Sequence, residues 1–238
     1  MMKFTESVIQ EVRQHAAEAA PAEACGLIVV DDGTQRYIRC TNIARCLNEF
    51  VIDPVEYAQV EDKYRIIGIA HSHYGVPALP SQADLTSCEA TELPWLIVNH
   101  PVGDYHVVEP SGYVAPLRRR EFHYGVLDCF ALVRDYYRLE LGIFIPDFER
   151  PEDWDNRVTS PFVDNLEYAG FVSVPLDQLR PHDVLLMKCR AKVINHAAVF
   201  LGGTTLLQHL IGKLSGDGVY DGYWRKVTVE AARHRSLV

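Results

Sequence analysis

The sequence predicts two domains that each mix helices and strands, meeting near residue 115. Three observations carry this. Helical and strand patterns alternate over the first 110 residues, which is α/β or α+β in class. The second half opens with a helical pattern and continues as antiparallel strands joined by Gly-containing turns, which is α+β. Between them, Pro110-Ser111-Gly112 through Pro116 and Arg118–Arg120 interrupts both patterns. Domains of 1–115 and 116–238 follow. A chain of 238 residues, 48% of them hydrophobic, can close a core in each half.

Each element has its own signal. Val8, Ile9, Val12, Ala16 and Ala19 have helical spacing between Thr5 and Ala20, and Pro21 ends the run. Gly26–Val30 is a strand closed by the turn residues Asp31-Asp32-Gly33. Short strands are expected at Tyr37–Cys40 and Phe50–Ile52, a helix at Pro54–Tyr64 and a strand at Ile66–His73. A loop with Pro77 and Pro80 precedes a helix at Ser81–Leu93, then strands at Trp95–Asn99 and Tyr105–Glu109. In the second half a helix starts near Cys129, with Phe130, Val133, Tyr137 and Leu141 on its buried face and Gly142 at its end. The irregular stretch Ile143–Asn165 is the candidate cleft-lining or partner-binding segment. A short element at Leu166–Gly170 and strands at Val184–Lys188, Ala197–Leu201 and Leu206–His209 complete the chain.

The formal charge of −9 argues against a nucleic-acid partner, and the three arginines are too short a run to change that. No apolar run is long enough to span a membrane, and the start lacks the apolar stretch of a secretory signal. Six scattered cysteines without a C-x-x-C pair read as reduced thiols in a protein made in the cytoplasm.

One candidate site is a metal centre. His71 and His73 lie two apart on a strand and so face the same way. With Asp84 they would make a three-ligand set that leaves a position for water, as catalytic zinc requires. Glu23 is the candidate proton acceptor, and Ser81 could bond an oxyanion or the attacking water. Ser81-x-x-Asp84 also reads as a helix N-cap, and a His-x-His pair alone is as often structural. Taken together, Glu23-Ala24-Cys25-Gly26-Leu27 and His71-x-His73-x7-Ser81-x-x-Asp84 resemble the JAB/MPN family with its JAMM motif. The resemblance covers about residues 1–110. It implies an α/β domain, one zinc ion on His71, His73 and Asp84, Glu23 as general base, and Ser81 supporting the transition state.

The second candidate is a thiol. Cys129 follows Asp128 at a helix start, where the helix dipole and free backbone N–H groups favour thiolate. His196, at the head of an apolar strand, is the candidate base. By a hairpin argument His209 is placed to orient it, with Gln208 pointing to the other face. Asp128-Cys129-Phe130-Ala131-Leu132-Val133, Asn195-His196-Ala197-Ala198-Val199-Phe200-Leu201-Gly202 and His209 resemble the NlpC/P60 peptidases. That family implies a papain-like α+β domain and hydrolysis of peptidoglycan peptides. Cys129 would be nucleophile, His196 base and His209 the orienting residue, with Asp128 and Tyr124 around the substrate. Phe130-Ala131 stands where many members have Ser-Gly, and His182 where a Gly-Asp pair is usual.

The two domains in this order resemble a family of tail assembly proteins from lambda-like bacteriophages. That implies other tail-tip proteins and peptidoglycan peptides as partners. It also implies synthesis in the host cytoplasm, with action from the virion tail tip in the periplasm. The alternative is a structural tail-tip factor whose two sites are vestigial.

Overall fold

The computed structural model describes residues 3–150 and 158–238. It forms two compact units, Met1–Val114 and Ala115–Val238.

In the first unit Thr5 caps α1 (Glu6–Ala19) by accepting from the Val8 amide. The apolar face of α1, Val8, Ile9 and Val12, packs with Phe4 on Ile28, Ala70, Leu96 and Val98 of the sheet. That sheet runs β2-β1-β3-β4-β5. Its strands are β1 (Cys25–Asp31), β2 (Thr34–Cys40), β3 (Arg65–Tyr74), β4 (Trp95–His100) and β5 (Tyr105–Val108). Only β3 and β4 pair in parallel, so they need a crossover. Helix α3 (Gln82–Thr91) lies within that connection. The opposite face carries Leu27, Ile69 and Ile97, packed with Val60 of α2 (Pro54–Glu61) and Cys88 of α3. Burial on both faces explains why β1, β3 and β4 read as continuous apolar runs.

The strand expected at Phe50–Ile52 does not form; a lone bridge joins Asn42 to Ile52. Residues between β2 and α2 are organised by a side chain instead. Asn42 Nδ2 donates to the carbonyls of Glu23 and Glu49, and its Oδ1 accepts from Ala44 and Val51.

The second unit sets α4 (Cys129–Leu141) against an antiparallel sheet of order β10-β9-β8-β7-β11-β6. Gly142 ends α4 in the left-handed region at φ 67°. Phe130, Val133 and Tyr137 pack on Phe171, Val184, Ala197 and Val199. The strands are β6 (Phe171–Val174), β7 (Val184–Met187), β8 (His196–Gly202), β9 (Thr205–Gln208), β10 (Gly216–Val219) and β11 (Thr228–His234). Short helices α5 (Pro161–Asp164) and α6 (Tyr223–Val227) flank it. β6, β10 and β11 were not expected. β11 carries Glu230 and Arg233, and β10 carries two glycines, so neither presents an apolar alternation. Leu166–Gly170 is a turn, not an element. Of the irregular stretch Ile143–Asn165, residues 151–157 lie outside the described residues.

His182 sits in the turn before β7 at φ 79°, a conformation that favours glycine. Its surroundings compensate. Tyr137 donates to its carbonyl, Tyr136 bonds its Nδ1 at 2.7 Å, and Asp183 beside it pairs with Arg233 at 2.8 Å.

Gly26 allows the close approach of β1 to β2. A Cβ there would lie 2.3 Å from the Ile38 carbonyl oxygen and 2.5 Å from the Tyr37 ring. Gly26→Ala should therefore cost on the order of 2–3 kcal/mol through overpacking, read as a lowered melting midpoint of the first unit.

Candidate functional sites

In the first unit, His71 and His73 project from the end of β3 toward the first turn of α3, which brings Asp84. His71 Nε2 lies 3.2 Å from His73 Nε2 and 3.3 Å from Asp84 Oδ1, and His73 Nε2 lies 3.5 Å from Asp84 Oδ2. Three ligands at 2.0–2.1 Å from a tetrahedral ion are separated by about 3.3–3.4 Å. The donor set therefore fits zinc, and it is the cluster among the described residues that could hold a metal ion. His73 Nδ1 donates to the Pro77 carbonyl at 2.9 Å, which leaves Nε2 as the ligand atom of a neutral ring. Phe50 stacks on His71 at 4.5 Å, and Trp95 meets its edge. Phe50 thus serves as a lid on the ring rather than as a strand residue.

Burial shapes the protonation of this cluster. It lowers His71 to about 4, so that ring is neutral at pH 7. Burial also opposes charge on His73, but bonds to Asp84 and the Pro77 carbonyl outweigh it and raise the ring above its ordinary value. Burial would raise Asp84, yet His73, His71 and Ser81 hold it well below the usual carboxylate range. Glu23 is different. Burial pushes its carboxyl up to about 8, with His73 opposing and Asp84 and Glu49 adding to the rise.

Ser81 is the N-cap of α3. Its Oγ accepts from the Asp84 amide at 3.1 Å, and Asp84 Oδ2 accepts from the Ser81 amide at 2.7 Å. The cap and the ligand are thus one device, because capping aims the Asp84 carboxylate. The Ser81 hydroxyl keeps its proton to donate. Asn42 was not singled out from the sequence; it holds the Glu23 carbonyl at 2.9 Å, and no motif marks it.

In the second unit, Cys129 begins α4 and His196 begins β8. Both line one cavity of about 580 Å³, together with Tyr124, His209 and Trp224. No hydrogen bond joins the Cys129 sulfur to His196 among the described residues. Burial, with Asp128 beside it, pushes the thiol up to about 12, while the Ala197 amide opposes the rise. Burial lowers His196 to about 4 against a favourable bond from Gln208. The resting pair is thus neutral thiol and neutral imidazole.

The orienting partner differs from the expectation. His196 Nε2 lies 3.2 Å from Gln208 Oε1, and His209 makes no bond to it. The β8–β9 register explains this. A shift between Phe200 and Gly202 sets Gln208 opposite Ala198, which shares a face with His196. His209 falls just beyond β9, packed edge-on against Phe122 at 5.0 Å, with neither ring nitrogen hydrogen-bonded. Burial, then repulsion from Arg120, lower it to about 4. Gly218 of β10 makes the space for Gln208, since a Cβ there would lie 3.1 Å from its amide nitrogen.

Asp128, expected beside the substrate, lines the cavity, and its carboxylate is also bonded within the fold. Oδ1 accepts from Phe130 and Ala131 as the N-cap, and Oδ2 accepts from Gly125 and from Arg150 at 2.6 Å. Those four bonds fill a carboxylate's acceptor sites. Arg150 was not singled out from the sequence; its partner lies 22 residues away, beyond any local pattern. Tyr124 lines the cavity and meets Phe122 edge-on at 5.6 Å.

The family model for prokaryotic homologs of the JAB domain matches residues 5–109, and that for the NlpC/P60 family matches residues 119–233. The chain therefore joins two domains of peptidase families, one of each kind. Over 235 residues it is 34% identical to tail tip assembly protein K of Escherichia phage N15, covering 98% of this chain and 96% of that one. Protein K of Escherichia phage lambda is 37% identical over 185 residues, 78% of this chain and 90% of the relative. A desampylase of Pyrococcus furiosus is 30% identical over 95 residues, 37% of this chain and 66% of the relative. The chain belongs to the tail tip assembly protein K family.

His196 and His209 are held neutral, with folded pKa values below the unfolded 6.5. The unfolded chain binds more protons between those values, so their contribution is full above pH 6.5 and is lost as pH falls toward 4. Hydrogen-exchange protection of β7–β9 should drop over that window, by on the order of 1–3 kcal/mol per histidine. His209→Gln should flatten the dependence.

Proposed function

We propose that this chain is a phage tail-tip assembly protein carrying two hydrolase centres. The second unit is a thiol peptidase that cuts peptidoglycan stem peptides, and the first is a zinc peptidase or isopeptidase. The observation that carries the thiol reading is the shared cavity, in which Cys129 starts a helix and His196 has one ring nitrogen bonded to Gln208. With Nε2 donating to Gln208 Oε1, Nδ1 is left as the base.

His196 Nδ1 takes the Cys129 proton as the sulfur attacks the peptide carbonyl carbon. The C–N bond breaks, and the imidazolium returns that proton to the leaving amine. Water then attacks the thioester, releasing the acid and restoring the thiol. The α4 dipole acting on the sulfur favours the ion pair. Gln208 positions His196, and Asp128 and Arg150 position the start of α4.

In the first unit His71, His73 and Asp84 would hold zinc, which when bound supplies a Lewis acid and an acidified water. Glu23, beside the cluster, would accept that proton in its ionised form and carry it to the leaving amine. The Ser81 hydroxyl would donate to the developing oxyanion. By this reading the chain acts at the virion tail tip, with stem peptides and other tail proteins as partners. The neutral, unbonded Cys129–His196 pair favours a second reading, in which the site is vestigial and the role structural.

Cleavage of muropeptides by the purified chain separates them. Cys129→Ala should abolish cleavage, while equal cleavage by wild type and variant would remove the thiol reading. Gln208→Ala should lower kcat on the order of 10–100-fold with KM little changed, and His209→Gln should cost much less. Near-stoichiometric zinc is expected in protein purified without chelator. His71→Ala should lose that metal and any isopeptide cleavage while leaving muropeptide cleavage intact.

A further inference from the structure

The thiol cavity has a charge pattern that its catalytic groups do not explain. Its described lining contains one carboxylate, Asp128, and three cations, Arg150, Arg190 and Lys213. Arg150 is committed, because it is buried and paired with Asp128 at 2.6 Å and Asp147 at 2.5 Å. Both cavity histidines are neutral. Arg190 and Lys213 therefore leave the described lining positive, in a chain whose formal charge is −9.

Neither cation hangs from a loose surface. Arg190 follows Cys189, whose backbone is clamped on both sides by one side chain. The Cys189 amide donates to Asn195 Oδ1 at 2.7 Å, and Asn195 Nδ2 donates to the Cys189 carbonyl at 3.1 Å. Asn195 immediately precedes His196, so one clamp ties the Arg190 loop to the base. Arg190 itself adopts φ 54°, a left-handed conformation that reverses the chain beside this clamp. Lys213 lies in the turn after His209, with its amide bonded to the Leu210 carbonyl at 3.0 Å. Tyr124, Tyr223 and Trp224 add aromatic wall. The cavity thus offers a thiol, a base, an apolar wall and two cations.

We propose that Arg190 and Lys213 are specificity-determining residues of the thiol site, selecting peptides that carry free carboxylates next to the scissile amide. A neutral peptide would lack the charge pairing with either side chain. A carboxylate would gain charge-assisted hydrogen bonds in a cleft walled by aromatic rings. Arg190 offers a planar fork suited to a carboxylate, and Lys213 a point charge. Both are exposed, so the selection is sensitive to salt. This rests on the thiol-peptidase reading for its substrate, but binding tests it separately from cleavage.

The full chain carrying Cys129→Ala is titrated calorimetrically with the stem tetrapeptide L-Ala-γ-D-Glu-diaminopimelate-D-Ala. A second titration uses the analogue whose glutamate and diaminopimelate side carboxylates are amides. The acid form should bind on the order of tenfold more tightly, and the difference should shrink as salt is raised. Adding Arg190→Gln and Lys213→Gln should reduce the preference to about twofold or less, with binding of the amide form unchanged. Equal binding of both forms, a preference that survives the double substitution, or no binding of either would overturn the proposal. Circular dichroism of each variant checks that the fold is retained, and single substitutions replace the double one if it is not. Carboxylate-selective binding without cleavage by the Cys129 protein would sink the peptidase reading and leave this one standing. Cleavage of both forms at equal rates would do the reverse.

Discussion

Both candidate sites depend on one constraint, the two-residue period of a β-strand. On β3 it makes His71 and His73 face the same way, so a single carboxylate from α3 can meet both rings. On β8 and β9 it decides which of two adjacent polar residues reaches His196. The register shift between Phe200 and Gly202 changes the parity across the hairpin, and Gln208 takes the place next to the base. One residue of slip would have exchanged Gln208 for His209 beside the imidazole.

Each site then closes the strand end with the start of a helix. Asp84 is in the first turn of α3 and Cys129 is the first residue of α4. In both cases a side-chain cap fixes that turn. Ser81 and Asp84 bond each other reciprocally, and Asp128 bonds two amides of α4 while Arg150 neutralises it. A helix start held in this way is rigid enough to present a ligand or a nucleophile, and its amides favour negative charge there. The sites differ in how they manage burial. The metal cluster holds the ionised Asp84 carboxylate, which a cation can balance, whereas the Cys129 thiol and the His196 imidazole are neutral.

Much of this was legible. Thr5, Asp31-Asp32-Gly33 and Gly142 marked element ends because caps and turns act locally. The His-x-His spacing and the Asp-Cys step could be read because two residues apart on a strand, and the first turn of a helix, are themselves local geometry. β6, β10 and β11 were missed since their pairing joins distant residues and their own sequences lack alternation. Phe50 was mistaken for a strand residue because an apolar side chain looks the same whether it enters a ladder or covers a ring.

The sequence by itself pointed to two domains, a candidate metal-ligand set, and a candidate nucleophile and base. Only the tertiary structure decided that Gln208 rather than His209 touches His196, that Asp128 is spent on Arg150 and the start of α4, and that Asn42 fixes the backbone of Glu23. It also decided that Arg190 and Lys213 line one cavity with Cys129. Apart from the Asp128 cap, these pairings join segments separated by 12 to 84 residues. Their geometry is set by strand register and packing, which no local pattern contains.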